Sequence, residues 1–144
     1  MIALDTNIFV GAIQTFDPAL RMTARGCVKK LYRQGEPLVC FPQNLVEFWN
    51  VATRAATANG LGLAPEQAAR YVDRFQTIVR LLAETPAIFP AWRKLVLQHR
   101  VAGIHVHDAR IAAMIVHQVA AILTFDLDDF RRYAPIRVID PKSV

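Results

Sequence analysis

Short, nearly continuous apolar runs along this chain alternate with longer stretches in which apolar residues recur at helical spacing. Residues 1–5 read as a short strand that meets a carboxylate at Asp5. Asp17 and Pro18 then supply an N-cap and first-turn pair, and Leu20, Ala24, Cys27/Val28 and Leu31 share one helical face until Gly35. Residues 37–41 form a second buried-type strand, and Pro42 opens a helix with Leu45, Phe48, Trp49, Ala52 and Ala55/Ala56 on one face, ending near Asn59-Gly60. From Pro65 a longer helix places Ala68, Val72, Phe75, Val79 and Leu82 in a narrow apolar line, broken at Thr85-Pro86. A short strand at 87–89 precedes a helix begun by Pro90 with Trp92, Leu95 and Val96 inward, then a loop at Gly103. The next helix starts around Asp108, where Ala109, Ala112, Ala113 and Val116 give a small-residue face, and residues 120–124 and 136–139 are further strands. Trp49, Trp92 and Phe75 fall on apolar stripes and are expected in the core. Alternation of this kind predicts an α/β fold in three α/β/α layers, with a central, mainly parallel sheet of four to five strands flanked by helices.

Composition narrows the class. The 144 residues are 53% hydrophobic and 20% charged with mean hydropathy +0.24, which fits a single domain over 1–144 and excludes disorder. No repeat or low-complexity linker marks a boundary. The first residues lack a basic leader and no apolar run approaches the ~18 residues that span a bilayer, so neither export nor a membrane partner is expected. Cys27 and Cys40, without CxxC spacing, read as reduced core thiols suited to the cytoplasm. A net charge of +5 and a pI near 9.7 favour a polyanionic partner.

The acids carry the chemistry. Ligands of open parallel α/β sheets bind beyond the carboxyl ends of the strands, where loops and helix N-termini converge. Asp5 ends the first strand, Glu47 lies in the first turns of the helix after the second, Asp108 starts a late helix, and Asp126 follows the strand ending at Thr124. Four acids therefore share one predicted edge. Clustered carboxylates repel unless a cation neutralises them, and Mg²⁺ or Mn²⁺ is the natural choice. Such an ion polarises a phosphoryl oxygen and lowers the pKa of a bound water, which is the chemistry of phosphodiester hydrolysis. His99, His105, His107 and His117 show no metal-ligand spacing, and His105 and His107 are read as structural or solvent-facing.

The blocks Leu4-Asp5-Thr6-Asn7, Glu47, His107-Asp108-Ala109 with Ile111-Ala112-Ala113, and Leu123-Thr124-Phe125-Asp126 with Asp129-Phe130 resemble a PIN-domain nuclease. They are most similar to the VapC-type toxin ribonucleases of prokaryotic toxin–antitoxin pairs, and the likeness runs from residue 1 to about Pro141. The resemblance implies that Asp5, Glu47, Asp108 and Asp126 surround Mg²⁺ or Mn²⁺, with Thr6, Asn7 and Thr124 as polar support. It further implies an RNA substrate, a cognate antitoxin and a homodimer. A housekeeping RNA-processing nuclease of the same fold, or an inactive PIN-fold binding module, shares the pattern. A phosphoacceptor module is disfavoured because residues 87–90 offer no acid.

Several positions carry a second reading. Asp5 is also placed to cap a helix starting at Thr6, and Asp108 to cap its own helix. Glu47 lies about 140° from the centre of its helix's apolar stripe, where a solvated glutamate also sits. Asp126 has rivals in Asp128 and Asp129. Arg21, Arg25, Lys29 and Arg33 form a basic stripe that is either a phosphate track or a solvated face, as are Arg110 and the pair Arg131-Arg132. The apolar line of the helix from Pro65 is either a dimer seam or antitoxin groove, or an internal core face.

Overall fold

The structure is a computed structural model that describes residues 1–144. Five strands, β1 (Ile2–Leu4), β2 (Leu38–Cys40), β3 (Arg80–Leu81), β4 (Ala121–Leu123) and β5 (Arg137–Ile139), pair in the order β3-β2-β1-β4-β5, every pair parallel. Seven helices connect them: α1 (Thr6–Ile13), α2 (Pro18–Arg33), α3 (Pro42–Thr53), α4 (Pro65–Gln76), α5 (Ile88–Gln98), α6 (Val106–Gln118) and α7 (Leu127–Arg131).

Strand side chains alternate between two faces, and the alternation builds two cores. Ile2, Leu4, Leu38, Cys40 and Leu123 enter one apolar cluster with Ile8, Phe9, Cys27, Leu31, Phe48 and Ala68 from α1 to α4. Ala3, Val39 and Ile122 enter the other with Ile88, Ile111, Met114, Ile115 and Phe130 from α5, α6 and α7. Helix, sheet and helix thus form the three layers expected of the sequence, and both cysteines are free and buried.

The strand order places β1 between β2 and β4. The chain leaves β1 through α1 into one layer and leaves β4 through α7 into the other. Diverging connections open a crevice at the carboxyl ends of these two strands, the switch point where such sheets bind ligands.

Local structure departs from the sequence reading in five places. Residues 6–13, read only as a possible continuation of the Asp5 cap, form α1. The helix from Pro65 stops at Gln76 rather than running past Leu82, because Thr77-Ile78-Val79 is a β-branched run of low helix propensity. Arg80–Leu81 instead pairs with β2, and Leu82 N–H donates to Cys40 O at 2.9 Å. The strand expected at 87–89 is absent, since Ile88 begins α5 and is buried in the second core. The helix from Pro42 ends at Thr53, and a 3-10 turn, Ala56–Ala58, follows it. Asn59 then adopts φ 59°, and Gly60 packs so tightly that a Cβ there would collide with the Arg54 carbonyl. Trp49, expected in the core, is 38% exposed, because the buried side of α3 is set by Asn44, Phe48 and Ala52. Trp92 and Phe75 do pack against the two cores, and Phe75 lies 4.8 Å from the Phe9 ring and 5.2 Å from the Phe48 ring.

Candidate functional site

Asp5 follows β1 directly and caps α1, its Oδ1 accepting from Thr6 N–H at 2.7 Å. Its Oδ2 accepts from the Thr124 hydroxyl at 2.6 Å. Cap and site member are therefore one residue, with one carboxylate oxygen in each role. Thr124 is fully buried at the end of β4, and its Oγ1 also accepts from Asn7 Nδ2 and Asp126 N–H, each at 3.0 Å. One donor and two acceptors exhaust a hydroxyl. Asn7 completes the lock: Nδ2 also donates to Asp126 Oδ2 at 3.1 Å, and Oδ1 accepts from Phe125 N–H at 3.2 Å.

Glu47 is brought in from α3. Its Oε2 accepts from the Thr6 hydroxyl at 2.8 Å and its Oε1 from Gln43 Nε2 at 2.7 Å. Gln43 precedes Glu47 by one helical turn, the spacing at which side chains on a helix meet. Its Nε2 also donates to His107 O at 3.0 Å, and its Oε1 accepts from Arg110 Nη1 at 2.7 Å. Arg110 Nη2 in turn donates to Glu84 Oε2 at 2.6 Å. Arg110 is therefore tied to Gln43 and Glu84, with its side chain 38% exposed. Buried Asn44 braces the same arm, accepting from Phe41 N–H at 3.0 Å and donating to Thr6 Oγ1 at 3.4 Å.

Asp108 lies in the first turn of α6, not at its cap, which is His105. The positive end of the helix dipole favours a carboxylate there. His105 Nδ1 is 3.8 Å from Asp108 Oδ2, and a ligand atom from each of His105, Asp108 and Asp129 lies within 4.8 Å of the other two. Among the three late acids, Asp128 points away, 96% exposed beside Arg131. Asp126 serves the Asp5 side through Asn7, and Asp129 serves the Asp108 side.

Electrostatics join the two sides. Burial pushes the Asp5 carboxyl up to about 7, partly opposed by the Thr124 and Thr6 hydrogen bonds and reinforced by the charges of Asp126 and Asp108. Burial also raises Asp108, with Asp129, Glu47 and Asp126 adding repulsion and His105 opposing it. No lysine or arginine pairs with Asp5, Glu47, Asp108 or Asp126. A set of convergent carboxylates without a cationic side chain fits a hard divalent ion bound through oxygen.

Gln43, Asn44 and the Arg110–Glu84 pair did not emerge from the sequence. For Gln43 the signal was present in its four-residue offset from Glu47, and for His105 in its three-residue offset from Asp108. Of the basic stripe of α2, Arg25 and Lys29 flank an apolar groove between α1, α2 and α4, and Arg25 Nε donates to Ala12 O at 2.6 Å.

Ribonuclease VapC48 of Mycobacterium tuberculosis is 32% identical over 89 residues, covering 60% of this chain and 61% of the relative. The chain thus spans about three fifths of the length of that curated relative. Among solved structures, VapBC2 from Rickettsia felis bound to a DNA fragment from their promoter superposes with TM-score 0.72 at 18% identity, covering 97% of this chain and 98% of that one. VapBC-1 from nontypeable Haemophilus influenzae gives 0.71 at 21% identity, with 99% of each chain covered. Mycobacterium tuberculosis VapC20, described as a sarcin-ricin loop cleaving toxin, gives 0.66 at 19% identity, covering 92% of this chain and 95% of that one. At such identities the likeness is one of fold. The family model for the PIN domain, however, matches residues 2–135, from β1 past the last acid of the crevice, and by that match the chain belongs to the PIN domain family.

Proposed function

We propose that this chain is a metal-dependent endoribonuclease that hydrolyses RNA phosphodiester bonds and acts in the cytoplasm as the toxin of a toxin–antitoxin pair. The observation that carries the reading is that, at the β1–β4 switch point, the charges of Asp126 and Asp108 reach Asp5 and those of Asp129, Glu47 and Asp126 reach Asp108, with no lysine or arginine paired to Asp5, Glu47, Asp108 or Asp126. These four acids would hold Mg²⁺ or Mn²⁺. When bound, such an ion supplies Lewis-acid polarisation of a phosphoryl oxygen and a water of lowered pKa. Thr124 fixes the Asp5 carboxylate, Asn7 ties Asp126 to the same loop, and Thr6 with Gln43 fixes both oxygens of Glu47. Positions held this way need little reorganisation when a phosphate arrives. The likeness to Ribonuclease VapC48 and to VapC20, a sarcin-ricin loop cleaving toxin, supports RNA as substrate, and the net charge of +5 suits a polyanion.

Partners follow from the surface. The groove between α1, α2 and α4, about 410 Å³, is walled by Ile8, Ala12, Val28 and Phe75 and rimmed by Arg25 and Lys29. We assign it to an amphipathic antitoxin helix with acidic flanks, in keeping with the VapBC complexes that share the fold. The exposed apolar face of α3, with Val46 and Trp49, is assigned to a homodimer contact.

Incubation of RNA with the purified chain and Mg²⁺ or Mn²⁺ tests the core of this reading. Cleavage is expected with either ion, and none in EDTA. Asp5→Ala loses its helix cap, a cost of about 1 kcal/mol, but sheds a buried charge, so it is expected to stay folded and to lose cleavage. An Asp5→Ala protein that cleaved as fast as wild type, with contaminating nuclease excluded, would overturn it.

A further inference from the structure

One nitrogen donor faces the oxygen-rich crevice. His105 is half-exposed, with Nδ1 3.8 Å from Asp108 Oδ2. It closes the 3-10 turn Gly103–His105, which Gly103 starts at φ 62°, and this turn delivers the imidazole to the first turn of α6. Asp129 arrives independently from α7, and ligand atoms of all three residues lie within 4.8 Å of one another. Ligands at about 2.0–2.2 Å from one divalent ion stand about 3 Å apart when adjacent and about 4.3 Å apart when opposite. Small side-chain rotations therefore bring the three onto a single ion. Asp129 is restrained only by Arg132 at 3.4 Å, a solvent-facing pair that breaks at little cost.

We propose that His105 is a nitrogen ligand on the Asp108–Asp129 side of the metal centre, and that the mixed nitrogen and oxygen donor set selects Mn²⁺ over Mg²⁺. The inference rests on the reading of these acids as a metal centre and specifies its ion. Mg²⁺ demands oxygen donors and keeps most of its water, so an imidazole adds little to its binding. Mn²⁺ accepts imidazole alongside carboxylates, so the same side chain discriminates between the two ions. Without His105 the crevice offers oxygen alone.

Electron spin echo modulation of Mn²⁺ bound to the whole chain tests the contact directly. Wild type is expected to show coupling to a ¹⁴N nucleus, His105→Gln to lose it, and His107→Gln to keep it. Calorimetric titration is expected to show Mn²⁺ binding weakened on the order of tenfold or more in His105→Gln, with Mg²⁺ binding changed less than about twofold. Mn²⁺ that binds wild type without nitrogen coupling overturns the proposal and leaves the acids standing as a metal centre. Equal weakening of both ions in His105→Gln does the same, because it marks a general electrostatic or structural effect. If neither ion binds wild type, this proposal and the proposed function fall together.

Discussion

Asp5 and Asp108 are both carboxylates at the amino end of a helix on one crevice, yet they are held in opposite ways. Asp5 is buried, 6% exposed, and fixed by hydrogen bonds of 2.6 and 2.7 Å to a saturated hydroxyl and a helix N–H. Asp108 is half-buried, and its nearest side-chain partner is the imidazole of His105, 3.8 Å away. The Asp5 side is built by the backbone ends of β1 and β4 and is held by those hydrogen bonds. On the Asp108 side the donors come from α6 and α7, which leaves freedom for an ion to set the final geometry. A rigid half fixes position, and an adaptable half fixes ion preference.

The largest expected effect comes from breaking the rigid half. Thr124→Val keeps the shape but strands the buried Asp5 Oδ2, at a cost of about 1–3 kcal/mol, and also removes one partner from Asn7 Nδ2 and the partner of Asp126 N–H. Scanning calorimetry is expected to show a fall in Tm on the order of 10 °C, whereas Asp108→Asn shifts it by no more than a few degrees. Equal losses in the two variants would erase the distinction between the halves.

Proton linkage sharpens it next. The Asp5 carboxyl is raised from 3.8 to about 7 in the fold. Between those values the unfolded chain gives up its proton while the folded chain retains it, so this group's contribution to stability falls as pH rises. The loss is complete above about pH 7 and amounts to a few kcal/mol. In EDTA, chemical denaturation at pH 5 and pH 8 is expected to show wild type losing more stability with pH than Asp5→Ala. A parallel pH dependence in the two proteins would count against a strained carboxylate at this position.

The smallest effects separate the late acids. Asp129→Asn is expected to weaken Mn²⁺ binding about tenfold, while Asp128→Asn leaves it unchanged and moves stability by less than about 0.5 kcal/mol. Titration calorimetry on the two variants checks both statements.

The sequence made the rigid half legible because its determinants are local. An acid straight after an apolar strand, and a threonine ending another, land at the sheet edge whatever the helices do. Glu47 needed the family resemblance, since a helical face opposite the core serves a solvated glutamate equally well. The split between Asp126 and Asp129 was not legible, because it depends on α7, a single turn with a weak sequence signal. The overrun of the helix from Pro65 has a related cause: Val79 continues a helical spacing and is also buried beside a strand, and only pairing with β2 decides between them. Trp49 shows the limit of stripe reading, which finds apolar residues without saying whether another layer covers them.

The sheet's outer margins carry one more consequence. β3 is two residues long and β5 three, and each begins with an exposed arginine, Arg80 and Arg137. Margins so brief and so charged offer little template for an added strand. Any assembly of this chain is therefore expected to grow through helix surfaces, leaving the five-stranded ribbon at its own width.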